Sequence, residues 1–385
     1  MIKTIKVMLI PNNKQNTKMF QYAGASRFAY NWALEQEQVN YKNGNKFISD
    51  YDLRKKFTPL RHSEEYKWLE NISNNVTKQA IKDACVAYKN FFDHRTKFPR
   101  FKSKRKNRPA FYQDPVKLKF TDTHVKVEGF ASSKKANKQK LNWIRLAEHG
   151  RIPTDVAYYN PRFTFDGLNW WVSVGVDSEE NVKTPSNEGI GIDLGIKDLA
   201  VCSDGTIYPN INKTTTIKKL EKSKRRLQRS ISRSYENNKK GGSYCKTKNV
   251  IKKEKRLLRK THRLTNIRQN NTHQVTSEIV KREPNFIVIE DLNVSGMMKN
   301  KHLAKAVQQQ GLREFRRQIE YKCEWNGIHL IVADRWYPSS KLCSCCGNIK
   351  KDLKLSDRIY RCECGNVIDR DYQAALNLKA YANLI

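Results

Sequence analysis

Five cysteines and three acidic residues in the second half of this sequence have the types and spacing to do chemistry. Cys343 and Cys346 sit in "CSCCGN", and Cys362 and Cys364 sit in "CECGN". Each pair closes a tight turn, and the glycine that follows relieves it. Four thiolates at this spacing suit a tetrahedral Zn²⁺. They leave no coordination position open for water, so the role they imply is structural. The second pair is C-x-C rather than C-x-x-C, and Cys345 competes with Cys343 as a ligand. Nine cysteines, an odd number with five inside residues 343–364, argue for a metal rather than a disulfide framework. That places the chain in a reducing compartment. Cys85, Cys202, Cys245 and Cys323 are scattered and read as ordinary residues.

Asp193 interrupts the apolar run "GIGIDLG", Glu290 ends the run "FIVIE", and Asp371 opens the helix that follows the last cysteine pair. A carboxylate inside an apolar run is costly unless something cationic holds it. Three of them on separate elements fit a two-metal nuclease, in which two Mg²⁺ about 3.5–4 Å apart serve the attacking and leaving oxygens of a phosphodiester. Hard cations prefer such oxygen ligands. Asp369, Asp291 and Asp198 are rivals that spacing does not exclude.

The substrate such a centre needs is written in the charge. Lys and Arg number 74 against 38 Asp and Glu, a net +36, which calls for a polyanionic partner. No apolar window reaches the length of a membrane span. Residues 213–268 hold 21 Lys or Arg against three Glu, half of the excess. The stretch "KFPRFKSKRKNR" adds seven cations and no acid. Lys97, Arg100, Lys102, Lys104 and Arg105 here, and Lys224, Arg225, Arg226, Arg256 and Arg259 in the longer run, are candidate phosphate contacts. The plainer alternatives are a solvated linker and a surface coiled coil.

Several elements must position these groups. Period-two patterns predict a strand over 2–10 and, in alternations such as Val116, Leu118 and Phe120, a β-rich domain over 110–180, expected to close as a small barrel. "MIKTIKVMLI" carries Lys6 inside its apolar run and reads as a strand, not a signal peptide. Helices are expected over 17–43 and from Ser73, making a helical domain over 11–109 with the basic linker at its end. Heptad spacing of Ile217, Leu220, Leu227 and Ile231, and of Val250, Leu257 and Leu264, predicts a helical hairpin over 213–280 broken at Gly241 and Gly242. Strands follow at 285–292 and 328–335, with one helix from about 303 to 326 between them. Ala374, Ala375 and Leu378 give the last helix a small packing face.

In this order, "GIDLGIKDLAV", "IVIEDLNVSGM", "WYPSSKLCSCCG" and "CECGNVIDRDYQAALNL" resemble the TnpB family of transposon-encoded RNA-guided DNA nucleases, relatives of the type V CRISPR effectors. "SRFAYNWAL" and "FPRFKSK" look like the family's looser N-terminal signatures, so the resemblance spans nearly the whole chain. It implies α/β architecture plus β-barrel and helical domains. The nuclease domain would be RNase H-like (RuvC), over 186–342 and 365–385, with the helical hairpin and a zinc-binding insertion at 343–364. The barrel, 1–10 and 110–180, would be the wedge domain, and 11–109 the recognition domain. By motif, Asp193, Glu290 and Asp371 match the catalytic acids, and Cys343, Cys346, Cys362 and Cys364 the zinc ligands. The implied cofactors are two Mg²⁺ and one structural Zn²⁺. The implied partners are a guide RNA from the transposon end and double-stranded target DNA beside a short flanking motif, in a bacterial or archaeal cytoplasm. Gln373 departs from the pattern, standing where the family usually has Asn. Rival readings are an RNA-guided repressor that does not cut, which the intact acids oppose, a DNA transposase acting without RNA, and a bulk RNA-binding protein.

Overall fold

The structure is a computed structural model that describes residues 1–131, 140–178, 188–354 and 357–384. Statements of absence below refer to these residues. The chain forms two compact units, Met1–Glu179 and Glu180–Ile385. The expected boundary between residues 180 and 186 lies outside the described residues.

In the first unit, β1 (Ile2–Ile10) leads into α1 (Asn13–Lys42), α2 (Asp50–His62) and α3 (Asn74–Phe92). Asn12 caps α1 with a reciprocal Asn12–Gln15 box, which starts the helix four residues before the expected position. Small buried residues, Ala25, Ala29 and Ala33 on α1 and Ala80 and Ala84 on α3, line the packing faces of these two helices. The sequence pattern missed α2, whose Pro59 and many charges hide a single buried pair, Leu53 and Phe57. Strands β2 (Ala110–Tyr112), β3 (Lys119–Phe120), β4 (His124–Lys126), β5 (Trp143–Leu146), β6 (Tyr158–Phe165) and β7 (Trp170–Asp177) join β1 in one antiparallel sheet. Its order is β2-β6-β7-β1-β5-β4-β3.

This sheet corrects the barrel expectation. Its edge strands, β2 and β3, are three and two residues long and do not pair with each other. Strands that short carry too few ladder hydrogen bonds to close a barrel. Val116 is likewise not in a strand. Pro115 starts a single 3₁₀ turn that leaves Val116 86% exposed. Helices and strands share one core, to which Gln15 contributes by donating from Nε2 to the carbonyls of Leu141 and Trp143.

The second unit is built on a five-stranded sheet of β8 (Ile190–Leu194), β9 (Asp198–Cys202) and β10 (Ile207–Pro209), with two later strands. Helices α4 (Thr215–Asn237) and α5 (Lys248–Lys281) form the expected hairpin. They are joined by the short ribbon β11 (Lys239–Lys240) and β12 (Ser243–Tyr244). Ile217, Ile231, Val250 and Leu264 make its buried seam. Beyond the seam α5 continues into the core of the unit through Val275, Ile279 and Val280. Then come β13 (Phe286–Glu290), α6 (Val294–Met297), α7 (Ala304–Gln310), α8 (Leu312–Asn326) and β14 (His329–Ala333). The single helix expected over 303–326 is two, because Gly311 adopts φ +72° between them. The sheet order is β10-β9-β8-β13-β14, with β8, β13 and β14 parallel and β9 and β10 antiparallel to their neighbours. A ribbon of β15 (Ile359–Arg361) and β16 (Val367–Asp369) precedes α9 (Arg370–Tyr381), which packs across β8.

Candidate metal centres

The three acids converge because of register. Ile192 on β8 stands opposite Ile289 on β13, so Asp193 and Glu290 are the next residues on adjacent parallel strands. They lie at the carboxyl ends of those strands, where open α/β sheets present ligand sites. Helix α9 brings the third acid. A Cβ on Gly191 would stand 2.1 Å from the Ala375 carbonyl oxygen and 2.3 Å from the Lys379 nitrogen. Only glycine therefore lets the helix backbone rest on β8. The buried Ala374, Ala375 and Leu378 complete the contact. Asp369 caps α9 by accepting from the amides of Asp371 and Tyr372, which fixes where Asp371 leaves the first turn.

Asp193, Glu290 and Asp371 are half-buried. Burial pushes the Asp193 carboxyl well above the usual range, and the charges of Glu290 and Asp371 push it further, with Arg370 pulling the other way. Burial also raises Glu290, opposed by a hydrogen bond from the Ser339 hydroxyl and by Arg370. None of the three acids forms an ion pair among the described residues, whereas each rival does. Asp291 is held below its ordinary range by Arg316, at 2.6 Å, and by Arg335. Asp369 and Asp198 each lie 3.7 Å from Lys197. A half-buried carboxylate trio in which Asp193 and Glu290 have raised affinity for protons, and in which no member is ion-paired among the described residues, suits divalent cations.

The cysteine site is tighter. The Sγ atoms of Cys343, Cys346, Cys362 and Cys364 all lie within 4.8 Å of one another, with 3.6 Å across Cys343–Cys364 and Cys346–Cys362. A tetrahedral Zn²⁺ with bonds of about 2.3 Å places its sulfurs about 3.8 Å apart. Cys345 is exposed and outside the group, which resolves the competition in favour of Cys343. The C-x-C pair is accommodated by the β15–β16 turn. There Gly365 donates to the Cys362 carbonyl, and Cys362 to that of Asn366. Burial tends to raise the Cys343 thiol. The amides of Cys346 and Cys345 and the Asn366 side chain outweigh it and bring it to about 6. Cys364 is pushed up to about 12, against the Asn366 amide, by Cys346 and Cys362. Four sulfurs this close cannot all ionise without a cation among them.

Three residues that the sequence reading did not place bind the two centres together. Gln373 is fully buried and clamps the cysteine knuckle to α9. It donates from Nε2 to the Leu342 carbonyl at 2.5 Å, and its Oε1 accepts from Ser344 at 2.9 Å and Asn366 at 3.3 Å. Asn377, one turn on, donates to the carbonyls of Ser339 and Leu342. Ser339 in turn touches Glu290. "WYPSSK" and the Gln in "DYQAAL" were visible signals, but nothing in spacing says what a buried amide grips.

The basic candidates divide. Lys97, Arg100, Lys104 and Arg105 are exposed and unpaired among the described residues, as are Arg225, Arg226, Arg256 and Arg259. Lys102 is different. Its Nζ sits 3.5 Å from the Tyr30 ring centre, burial lowers its pKa, and Asn31 holds its backbone at both N–H and C=O. Phe98 fastens the same strap to Tyr88 and Phe91. Lys224 lies 3.9 Å from Glu221.

Known proteins resemble this chain over most of its length. A family described as "Probable transposase" matches residues 172–301, one described as "Cas12f1-like, TNB domain" matches 313–378, and one described as "Helix-turn-helix domain" matches 1–46. Two bacterial relatives bear the name "Putative RNA-guided DNA endonuclease". The one from Streptomyces pristinaespiralis is 32% identical over 382 residues, covering 98% of this chain and 89% of its own length. The one from Escherichia coli K12, InsQ, is 30% identical over 402 residues, covering 100% and 93%. Among solved structures, Cas12f1 in complex with single guide RNA and target DNA shares the fold at a TM-score of 0.61, with 12% identity and 98% of each chain covered.

Proposed function

The chain belongs to the TnpB family of RNA-guided DNA endonucleases, and from that premise we propose that it cuts double-stranded DNA under the direction of an RNA transcribed from the end of its own transposable element. The observation that carries the reading is the trio Asp193, Glu290 and Asp371, on three elements of one sheet unit and in no ion pair among the described residues. The sheet order, three antiparallel strands followed by two parallel ones, supports an RNase H-like (RuvC) assignment.

In this reading Asp193, Glu290 and Asp371 hold Mg²⁺. When bound, the ions lower the pKa of an attacking water and offset charge on the leaving oxygen. Ser339 orients Glu290, Asp369 sets the start of α9 and so the direction of Asp371, and Arg370 tempers the trio's negative charge. Cys343, Cys346, Cys362 and Cys364 hold one structural Zn²⁺. The exposed cations of 97–105 and of α4 and α5 take phosphates of the guide RNA and its heteroduplex. Base pairing then reads sequence while the protein reads backbone shape and the flanking motif. The strands of the first unit are assigned to the wedge domain and its helices to recognition. No described helix is long and apolar enough to cross a membrane.

The test is to express the protein beside its native flanking DNA and sequence the RNA that co-purifies. A single species with a constant scaffold and a variable end, which then directs cutting of a matching plasmid, is the expected result. A smear of host RNA displaced by moderate salt would overturn it.

A further inference from the structure

Segment 334–339 runs from β14 to the cysteine knuckle and is pinned at almost every residue. The Asp334 amide donates to the Tyr381 hydroxyl at 3.3 Å. Arg335 pairs with Asp291. Tyr337 donates to the Asn377 carbonyl at 3.2 Å and packs edge-on against Tyr381 at 4.7 Å. Ser339 reaches Glu290 and is gripped by Asn377. Between them the Trp336 amide donates to Asp334 Oδ1 at 2.8 Å, yet its side chain is 85% exposed. It has no ring partner among the described residues. Indole is the largest apolar side chain, and here a backbone held on both sides displays it to water.

Its place is set by the fold. Ala333, three residues before Trp336, stands opposite Glu290 in the β13–β14 register, and Ser339, three residues after it, touches Glu290. Three residues span at most about 11 Å, so the Trp336 backbone lies within that reach of both residues that adjoin Glu290. The adjoining cleft, about 510 Å³, has Glu290 and Glu320 in its wall together with Arg313, which is unpaired among the described residues, and Arg316, Arg317 and Arg335, whose partly exposed pairs with Asp291, Glu320 and Glu314 are weak enough for a phosphate to replace. Arginines for phosphates beside an aromatic plate for bases is the surface on which single-stranded nucleic acid is held.

We propose that Trp336 stacks on a base of a single-stranded stretch of the DNA being cut, while the arginine-lined cleft takes its backbone, so that the scissile phosphate is presented to Asp193, Glu290 and Asp371. This rests on the reading of those acids as the cutting centre. Stacking is sequence-tolerant, as a guide-directed enzyme requires of its substrate groove.

The test compares Trp336→Ala and Trp336→Phe in the RNA-loaded protein. Single-turnover cutting falls about tenfold for Trp336→Ala and stays within about threefold for Trp336→Phe. Thermal midpoint and salt dependence hold steady in both, since the indole buries nothing and carries no charge. In the non-cutting Asp193→Asn protein, a short single-stranded DNA oligonucleotide quenches indole emission, and adding Trp336→Phe removes that part of the quench. Wild-type cutting by Trp336→Ala, or an unchanged quench in Trp336→Phe, overturns the proposal. Equal quenching by RNA of the same sequence overturns the assignment to DNA. If no version of the protein cuts at all, the function reading fails, and the quench difference alone decides the role of Trp336.

Discussion

The cysteine knuckle and the carboxylate trio are neighbours held together by Gln373, and they are specified in opposite ways. All four cysteines lie within residues 343–364, on two turns, and their sulfurs meet within 4.8 Å. The acids are drawn from residues 193, 290 and 371 and meet only because a sheet and a helix are packed. The first site gathers four thiols tightly enough to saturate one tetrahedral ion. The second is half-buried, and its carboxylates repel one another.

The comparison breaks most sharply at Asp193. Asp193→Asn should slow cutting by at least about a thousandfold, since in the proposed centre it removes a carboxylate that would hold Mg²⁺. It should also raise the thermal midpoint of the metal-free protein. The folded pKa of Asp193 is raised, so the native state binds more protons than the unfolded one above the ordinary carboxylate pKa. Stability of the metal-free protein therefore falls as pH rises through that window. The gain from Asn should be largest at neutral pH and vanish below about pH 4. Scanning calorimetry across pH checks this, and a destabilised Asn variant would remove charge strain from the account.

Cys346→Ser is the converse. Zinc content should drop below one equivalent and the midpoint should fall by roughly 10 °C, because a structural site contributes folding energy directly. Elemental analysis and thermal melts read both. Gln373→Ala sharpens the link between the sites. It removes three hydrogen bonds and should cost about 2 kcal/mol. It should raise the Mg²⁺ concentration needed for half-maximal cutting more than it lowers the saturated rate. An unchanged Mg²⁺ requirement would mean the clamp serves the knuckle alone. The smallest effect lies far from either site. Replacing Arg225, Arg226, Arg256 and Arg259 by Ala should reduce the slope of log affinity for RNA against log salt by up to about 3, leaving the cutting centre intact.

What the sequence made legible follows the same division. The four cysteines could be named from spacing, and only geometry could set Cys345 aside. The acids could be named as interruptions of apolar runs, but rivals one or two residues away looked the same until their partners, Lys197, Arg316 and Arg335, came into view. Helix α2 was hidden because only Leu53 and Phe57 are buried along it. Val116 alternated with apolar neighbours, yet Pro115 turned the chain away from the sheet. Gly311 split a helix that its flanks would have continued. Gln373 was noticed as a departure in type, and its three contacts could not be read from type alone.

The most direct measurement takes one preparation, the protein purified with its RNA, and dialyses it against EDTA. Zinc content and cutting of a matched plasmid are then followed before and after Mg²⁺ is restored. The account predicts one zinc retained throughout, cutting lost in EDTA, and full recovery with Mg²⁺ alone. Cutting that persists without Mg²⁺, or that returns only when zinc is added, would contradict the division of labour between the two sites.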